Sequence, residues 1–346
     1  MAWTINNGKL YFNTKLYTGN GGTNAITGVG FQPDWTWIKG RSVAYSNTVF
    51  DVIRGATKRI ETNTSGAEST LSTGLTTWGT DGFTLGSSAA VNENSATFAS
   101  WNWKAGTSFT NDASGTGIGT IDSTGSFNNT AGFSIVSYTG TGSAGTIKHG
   151  LNSVPKMIII KARSAVKDWT VYHNSISAEN YLELNQTIAS TDSASTFNDT
   201  VPTSSVFSVG TNGQTNGSST TYIAYCFAEK QGYSKFSSYT GNGNADGTFV
   251  YTGFKPAFVV CKLSSSAGEG WLIRDNKINP YNVAPKHLRA DTSSAEANAS
   301  ANQIDMLSNG FKIRGTDTSI NGSGSTYIYM AFAENPFTSS TGTPVT

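Results

Sequence analysis

Short runs of apolar residues, separated by Gly, Ser, Thr and Asn, extend along almost the whole chain. In Trp35-Thr36-Trp37-Ile38 the two tryptophans are two residues apart, so they project to one face of a strand. Such runs recur roughly every 8 to 12 residues with turn formers between them, which is typical of β-sandwiches and barrels. The first strands are predicted at 9–17, 35–39, 48–53, 82–85 and 96–104. Helices are predicted only at 56–60 and 282–288.

The pattern occurs three times. Each copy begins with a Tyr-Thr-Gly-x-Gly turn, continues to a Pro, has a Lys six residues after that Pro, and ends with an Asn that precedes an apolar run. An internal repeat of this kind indicates a fold built from similar units. The residues that define the repeat are Tyr17, Tyr138 and Tyr239; Pro33, Pro155 and Pro256; Lys39, Lys161 and Lys262; and Asn92, Asn216 and Asn321.

We therefore predict an all-β chain of three tandem β-sandwich modules of the jelly-roll or lectin-like kind, each about the size of a small domain. The modules are placed at 1–106, 131–231 and 232–337. A Gly/Ser/Thr/Asn-rich linker is predicted at 107–130, with one short strand pair near Ile118 and Ile121, and a loose tail at 338–346. Modules two and three should be packed together, with module one offset. The repeat also allows a closed unit about a pseudo-threefold axis.

Composition narrows the possible partners. Hydrophobic residues make up 37% of the chain and charged residues 13%, and the formal net charge is +1 with no basic stripe. Nucleic acid is therefore not an expected partner. No apolar run reaches the roughly 20 residues of a membrane span and no secretory signal begins the chain, so we expect cytoplasmic synthesis without membrane insertion. Cys226 and Cys261 lie in apolar runs, which predicts buried free thiols.

The motifs do not indicate an active site. The run 140–145 matches G-x-G-x-x-G, but no helix can follow it, so we interpret its glycines as turn residues and expect no cofactor. His149, His173 and His287 are expected at the surface or at strand ends, without a metal. Asp51, His173 and Asp275 occupy one matching place in the three copies. A histidine among two acids does not fit three equivalent catalytic sites, so a structural hydrogen-bonding role is predicted.

The remaining polar and aromatic repeat positions are interpreted structurally. The repeat lysines are expected to lay their stems along the sheet end, with the ammonium reaching water or an acid. The repeat asparagines are expected to form turns. Tryptophans within the repeat are assigned to cores, whereas Trp78 lies outside it and is the candidate for an exposed aromatic contact with a glycan.

Several phrases resemble a repeat family of tailed-bacteriophage virion proteins of the marine-phage type. They are Tyr17-Thr18-Gly19-Asn20-Gly21, Trp103-Lys104-Ala105-Gly106, and the segments 132–140, 307–312 and 331–337. The resemblance spans essentially the whole chain. It implies a virion structural component, tail fibre or tail-associated, with modules similar to laminin-G or concanavalin-like lectins, and it brings no catalytic motif. The second copy departs from it at Thr141, where the turn usually has Asn.

Three functions follow as expectations. The first is a non-enzymatic tail fibre or tail-attached adhesin that displays its modules to the host surface. The second is a capsid decoration protein on the head. The third is a glycan-processing sandwich enzyme, which would need an acid pair that the repeat does not provide. The expected partners are other virion proteins, further copies of this chain in a homo-oligomer, and a host glycan or receptor.

Overall fold

The computed structural model describes residue 5 and residues 7–333, and over this part the protein is all-β, built from antiparallel sheets. The predicted tail at 338–346 lies outside the described residues. We divide the fold into three parts, named the first, second and third after their order along the chain. Each part contains one large sheet and one small sheet.

The first part contains nine strands. They are β1 (Phe12–Thr18), β2 (Asn24–Thr27), β3 (Trp35–Gly40), β4 (Thr48–Asp51), β5 (Lys58–Glu61), β6 (Ser69–Thr70), β7 (Leu75–Gly79), β8 (Gly82–Leu85) and β9 (Thr97–Trp103). The large sheet has the order β1-β9-β3-β4-β5-β6 and the small sheet β2-β8-β7. All five strands predicted here are present, with bounds that differ by up to three residues.

The second part contains ten strands. They are β10 (Thr107–Asn111), β11 (Ser123–Asn128), β12 (Phe133–Thr139), β13 (Gly145–Lys148), β14 (Pro155–Ala162), β15 (Thr170–His173), β16 (Asn180–Glu183), β17 (Thr191–Asp192), β18 (Val206–Val209) and β19 (Thr221–Ala228). The large sheet has the order β10-β11-β12-β19-β14-β15-β16-β17, and β13 pairs with β18.

The third part contains nine strands. They are β20 (Ser234–Thr240), β21 (Phe249–Tyr251), β22 (Pro256–Leu263), β23 (Trp271–Asp275), β24 (Lys286–Arg289), β25 (Ala297–Asn298), β26 (Ile304–Leu307), β27 (Gly310–Ile313) and β28 (Thr326–Ala333). The large sheet has the order β20-β28-β22-β23-β24-β25 and the small sheet β21-β27-β26. Apart from β10 and β11, the three large sheets therefore share one strand order.

The helices are short and do not lie where the sequence predicts them. They are α1 (Ala89–Asn92), α2 (Ala113–Thr116), α3 (Ala194–Phe197) and α4 (Thr318–Asn321), with 3-10 turns at Gly8–Leu10, Asn174–Ile176 and Ser300–Asn302. The helix predicted at 56–60 is wrong, because Thr57 has φ 67° and the chain then enters β5. The helix predicted at 282–288 is also wrong, since this segment leads into β24.

The segment 107–130 is not an extended linker. Strands β10 and β11 pair with each other, and β11 pairs with β12, so the insertion widens the second large sheet from six strands to eight. The short helix α2 lies between them. Phe109 and Phe127, with ring centroids 6.0 Å apart, pack against the apolar cluster of the second part. The packing of these two rings holds the insertion against the second part, although most residues of the insertion are polar.

The three large sheets enclose one common core. Trp35 of the first part stacks on Tyr225 of the second at 4.6 Å between ring centroids. Phe12 of the first part stacks on Phe332 of the third at 5.1 Å, and Phe227 of the second meets Phe332 at 6.1 Å. Every pair of parts thus shares buried aromatic contacts, so the chain forms one closed unit about a pseudo-threefold axis and the first part is not offset.

Each part also has a cluster of its own, on the other face of its large sheet. In the first part Ile38 and Phe98 of the large sheet pack with Ile26 and Phe83 of the small sheet. Corresponding clusters occupy the second and third parts. The prediction that repeat tryptophans are core residues is confirmed, because none of the six is more than 2% exposed. They are Trp35, Trp37, Trp101, Trp103, Trp169 and Trp271.

Candidate functional site

The repeat lysines join the three parts in a ring. Lys39 Nζ donates to Thr292 O of the third part (2.8 Å), Lys161 Nζ to Ser65 O of the first (3.0 Å), and Lys262 Nζ to Ile188 O of the second (2.9 Å). Each ammonium also bonds a carbonyl of its own part. The prediction that these amines reach water or an acid is therefore wrong. Burial lowers the pKa of each to about 8.

A second ring of backbone bonds runs beside the lysines. The N–H groups of Glu296, Glu68 and Ser190 donate to the carbonyls of Arg41, Arg163 and Ser264 respectively, each at 2.8 Å. The two glutamates add ion pairs across the same interfaces, Arg41 with Glu296 at 2.6 Å and Arg163 with Glu68 at 2.9 Å. Ser190 takes the place of the acid in the second part.

A third ring is formed by Asp51, His173 and Asp275. Each of these residues contacts the part that follows its own around the ring, whereas each repeat lysine contacts the part that precedes it. Asp51 accepts from Tyr225 Oη (2.7 Å) and Asp275 accepts from Trp101 Nε1 (3.1 Å). In the third part, the residue that corresponds to Tyr225 and Trp101 is Met330, which has no polar hydrogen to donate to a carboxylate. The imidazole instead lies 3.2 Å from Tyr329 O, and burial lowers the pKa of His173 to about 4.

The repeat asparagines are buried clamps rather than simple turn formers. Asn216 accepts from Thr141 N (2.8 Å) and donates to Ser143 O (2.6 Å) and Gly210 O (2.7 Å). Asn92 and Asn321 make the same three bonds in their parts. Each holds a Tyr-Thr-Gly-x-Gly turn against the segment before the last long strand.

The repeat tyrosines and prolines complete this support. The hydroxyls of Tyr17, Tyr138 and Tyr239 donate to the carbonyl just before the clamp asparagine, at 2.7 to 2.9 Å. Their rings stack on an aromatic residue of the last long strand, with centroids 5.0 to 5.2 Å apart. Pro155 and Pro256 begin β14 and β22, and Pro33 lies two residues before β3. All the repeat-defining residues thus stabilise the interior of the fold.

The structure also bears on the histidine, turn and cysteine predictions. His149, His173 and His287 are buried, at 4% exposure or less, so they are not surface residues, but the strand-end alternative fits His173, which is the last residue of β15. Among the residues that the structure describes, no three His, Cys, Asp or Glu side chains are grouped to hold a metal. The run 140–145 is a turn that leads into β13, as interpreted. Cys226 and Cys261 are buried free thiols, which confirms that prediction.

Trp78 is not an exposed contact residue. It is half-buried and packs against the apolar cluster of the first part, because its position in β7 pairs with Phe83, which faces that cluster. On the small sheet of the third part, by contrast, two aromatic rings are exposed, Phe249 at 43% and Tyr251 at 53%. Sequence reasoning did not single these two out.

The same two positions differ in the other parts. Val250 pairs with Phe311 as Ile26 pairs with Phe83 and Ile147 with Phe207, which fixes the correspondence of the three small sheets. The residues flanking this inward position are Ala25 and Thr27 in the first part, Thr146 and Lys148 in the second, and Phe249 and Tyr251 in the third. The fold therefore does not require aromatic rings there.

A polar groove of about 650 Å³ lies on the second part. One wall is the insertion, from Thr110 to Asp112 and from Thr120 to Thr124. The other is the end of β12 with its turn, from Ser137 to Thr141. Thr110, Thr124 and Ser137 are register partners on three adjacent strands, so they form a row across the groove.

The architecture defines an all-β protein whose repeated polar residues close three parts into one unit. The chain belongs to the family described as a domain of unknown function, DUF7483, whose model matches residues 7–336. No curated protein and no solved structure matches the chain. Within the described residues there is no helix of the length and apolarity needed to span a membrane.

Proposed function

We propose that this chain is a structural protein of a tailed-bacteriophage virion, a tail fibre or tail-attached adhesin that presents its surface to the host. The repeat phrases at 17–21 and 132–140 support the virion assignment through their resemblance to that family. We also propose that each part is a sandwich module of the jelly-roll or lectin-like kind. The apolar cluster between the large and small sheet of each part supports this.

The observation that carries the attachment role is the contrast between interior and surface. Repeated polar residues such as Asp51 and Asn216 are buried and hydrogen-bonded within the chain. Phe249 and Tyr251 are exposed at places where the other two parts carry small or polar residues. Large exposed apolar side chains that the fold does not need are typical of interaction sites.

Immunolabelling of purified particles tests the assignment. We expect an antibody to this chain to label the tail. A double variant, Phe249→Ala with Tyr251→Thr, introduces the residues of the first part and should reduce adsorption of particles to host cells without changing the melting temperature. Val201→Thr, at a position 61% exposed in the second part, is the control. Absence of label from particles would refute the virion role, and unchanged adsorption would refute the contact role of this face.

Capsid decoration is the second candidate, and the pseudo-threefold axis favours it. A single chain with three matching parts can occupy a threefold position of a symmetric shell. This candidate predicts label over the head, and copy numbers on the order of hundreds per particle rather than tens, as multiples of the shell symmetry. Partners on the particle would then be capsid proteins.

A further inference from the structure

The groove on the second part exists because of the insertion at 107–130. The first and third parts lack this segment, yet their large sheets keep the same order of the shared strands. The fold therefore does not require β10 and β11. They add a wall beside a turn that the other parts leave open, and the resulting groove has a volume of about 650 Å³.

The lining is rich in free hydrogen-bonding groups. The hydroxyls of Thr110, Thr124 and Thr139 are exposed and make no hydrogen bond to any described residue. Asp112 and Asp122 each use Oδ1 to accept backbone N–H groups of the insertion, Gly115 N at 3.0 Å and Ala113 N at 2.8 Å. Oδ2 of either carboxylate makes no such bond within the described residues, so both keep an acceptor for a ligand.

The same lining excludes other ligand classes. Among the described residues that line the groove there is no Lys or Arg, which a phosphate or sulfate would need as a partner. Its only large apolar side chains are Ile121 and Tyr138, which are 5% and 3% exposed and offer an apolar ligand little surface. Hydroxyl donors with carboxylate acceptors instead match a ligand that is itself a dense array of hydroxyl groups.

We propose that this groove binds a neutral carbohydrate, with the row of threonine hydroxyls and the outer oxygens of Asp112 and Asp122 as its hydrogen-bonding partners. The site rests on the proposed attachment function and names the ligand class for it. Since the groove offers no exposed aromatic ring for stacking, binding by one chain is weak, with a dissociation constant on the order of millimolar. Many copies on one particle would strengthen it through multivalency.

An array of neutral, amino, sialylated and sulfated glycans, probed with the full chain in multivalent form, tests the proposal. We expect retention on neutral glycans. The double variant Thr124→Val with Thr139→Val keeps shape and strand propensity but removes two hydroxyls, and should lower affinity roughly tenfold at about 0.7 kcal/mol per lost hydrogen bond. Thr18→Val and Thr240→Val change the matching turn residues of the other parts and should bind as the unaltered chain does.

Three array results would overturn the proposal: no glycan retained, retention of acidic glycans only, or equal retention by the double variant. If the valine variants lose thermal stability, Asp122→Asn provides an independent test, because its Oδ1 can still accept from Ala113 N while the outer acceptor is lost. Failure of the groove can be distinguished from failure of the proposed function. If the antibody labels the tail but no glycan is bound, only the carbohydrate site in the groove is refuted. If glycans are bound but the particles carry no label, only the virion role is refuted.

Discussion

Replacement of a clamp asparagine tests whether the three parts unfold as one unit. Asn216 is fully buried and makes three hydrogen bonds, to Thr141 N, Ser143 O and Gly210 O. In Asn216→Ala all three partners lose their bond, and the methyl group offers no replacement. The turn at 139–143 is then held to the second part mainly by its backbone bonds.

The magnitude follows from the number of bonds. At about 1 to 1.5 kcal/mol for each buried hydrogen bond, the loss from three bonds is about 3 to 4.5 kcal/mol. Cooperative unfolding of 346 residues has an entropy of about 0.7 kcal/mol/K, from about 2.1 cal/mol/K per residue. The melting temperature should therefore fall by about 4 to 6 °C if the whole chain unfolds in one transition.

Differential scanning calorimetry makes this measurement. We expect one transition in the unaltered chain and one, at lower temperature, in Asn216→Ala. Asn152→Ala, at an exposed loop position, is the control and should shift the midpoint by less than 1 °C, the usual size of a surface effect. A second, separate transition in the variant would show that the second part unfolds alone and would refute the closed-unit reasoning.

Three further predictions follow. Arg274 occupies the position that Phe50 holds in the first part and Tyr172 in the second. It is buried, and two of its guanidinium nitrogens make no hydrogen bond to the described residues. Because burying an unpaired charge is costly, Arg274→Tyr should raise the thermal midpoint. The repeat lysines have a pKa of about 8 in the folded chain, against an ordinary value of 10.5 once unfolded. The unfolded chain therefore binds more protons between those two values, and the urea midpoint should rise from about pH 7.5 to about 9.5. His173→Asp should lower the midpoint, since Met330 offers no donor, and adding Met330→Tyr should recover part of the loss.

Much of the fold could be predicted because its signals are local. Alternation in Trp35-Thr36-Trp37 is a strand property that any sheet would show, and the repeat supplies the same evidence three times. The burial of the repeat tryptophans followed from apolar replacements at matched places, such as Met157 and Phe258 for Trp35. The all-β class is accordingly confirmed.

The interfaces could not be predicted, because they depend on which parts lie next to one another. Lys161 bonds Ser65 O, a backbone atom 96 residues away, and no side-chain pattern marks a carbonyl acceptor. The composition of the insertion is that of a flexible segment and predicts a linker. The pairing of β11 with β12 brings Phe109 and Phe127 against the apolar cluster of the second part, and this contact is not visible in the sequence.

The division between interior and surface has a consequence for how such a protein can evolve new contacts. A homotrimer of one module would carry every surface change three times, because its copies are identical. Here the three parts are joined in one chain, and each can change its surface alone while the lysine ring, the backbone ring and the ring of Asp51, His173 and Asp275 keep the interior closed. The aromatic pair at Phe249 and Tyr251 and the groove formed by the insertion are changes of this kind. The positions where the parts differ on the outside are therefore the ones to test for binding.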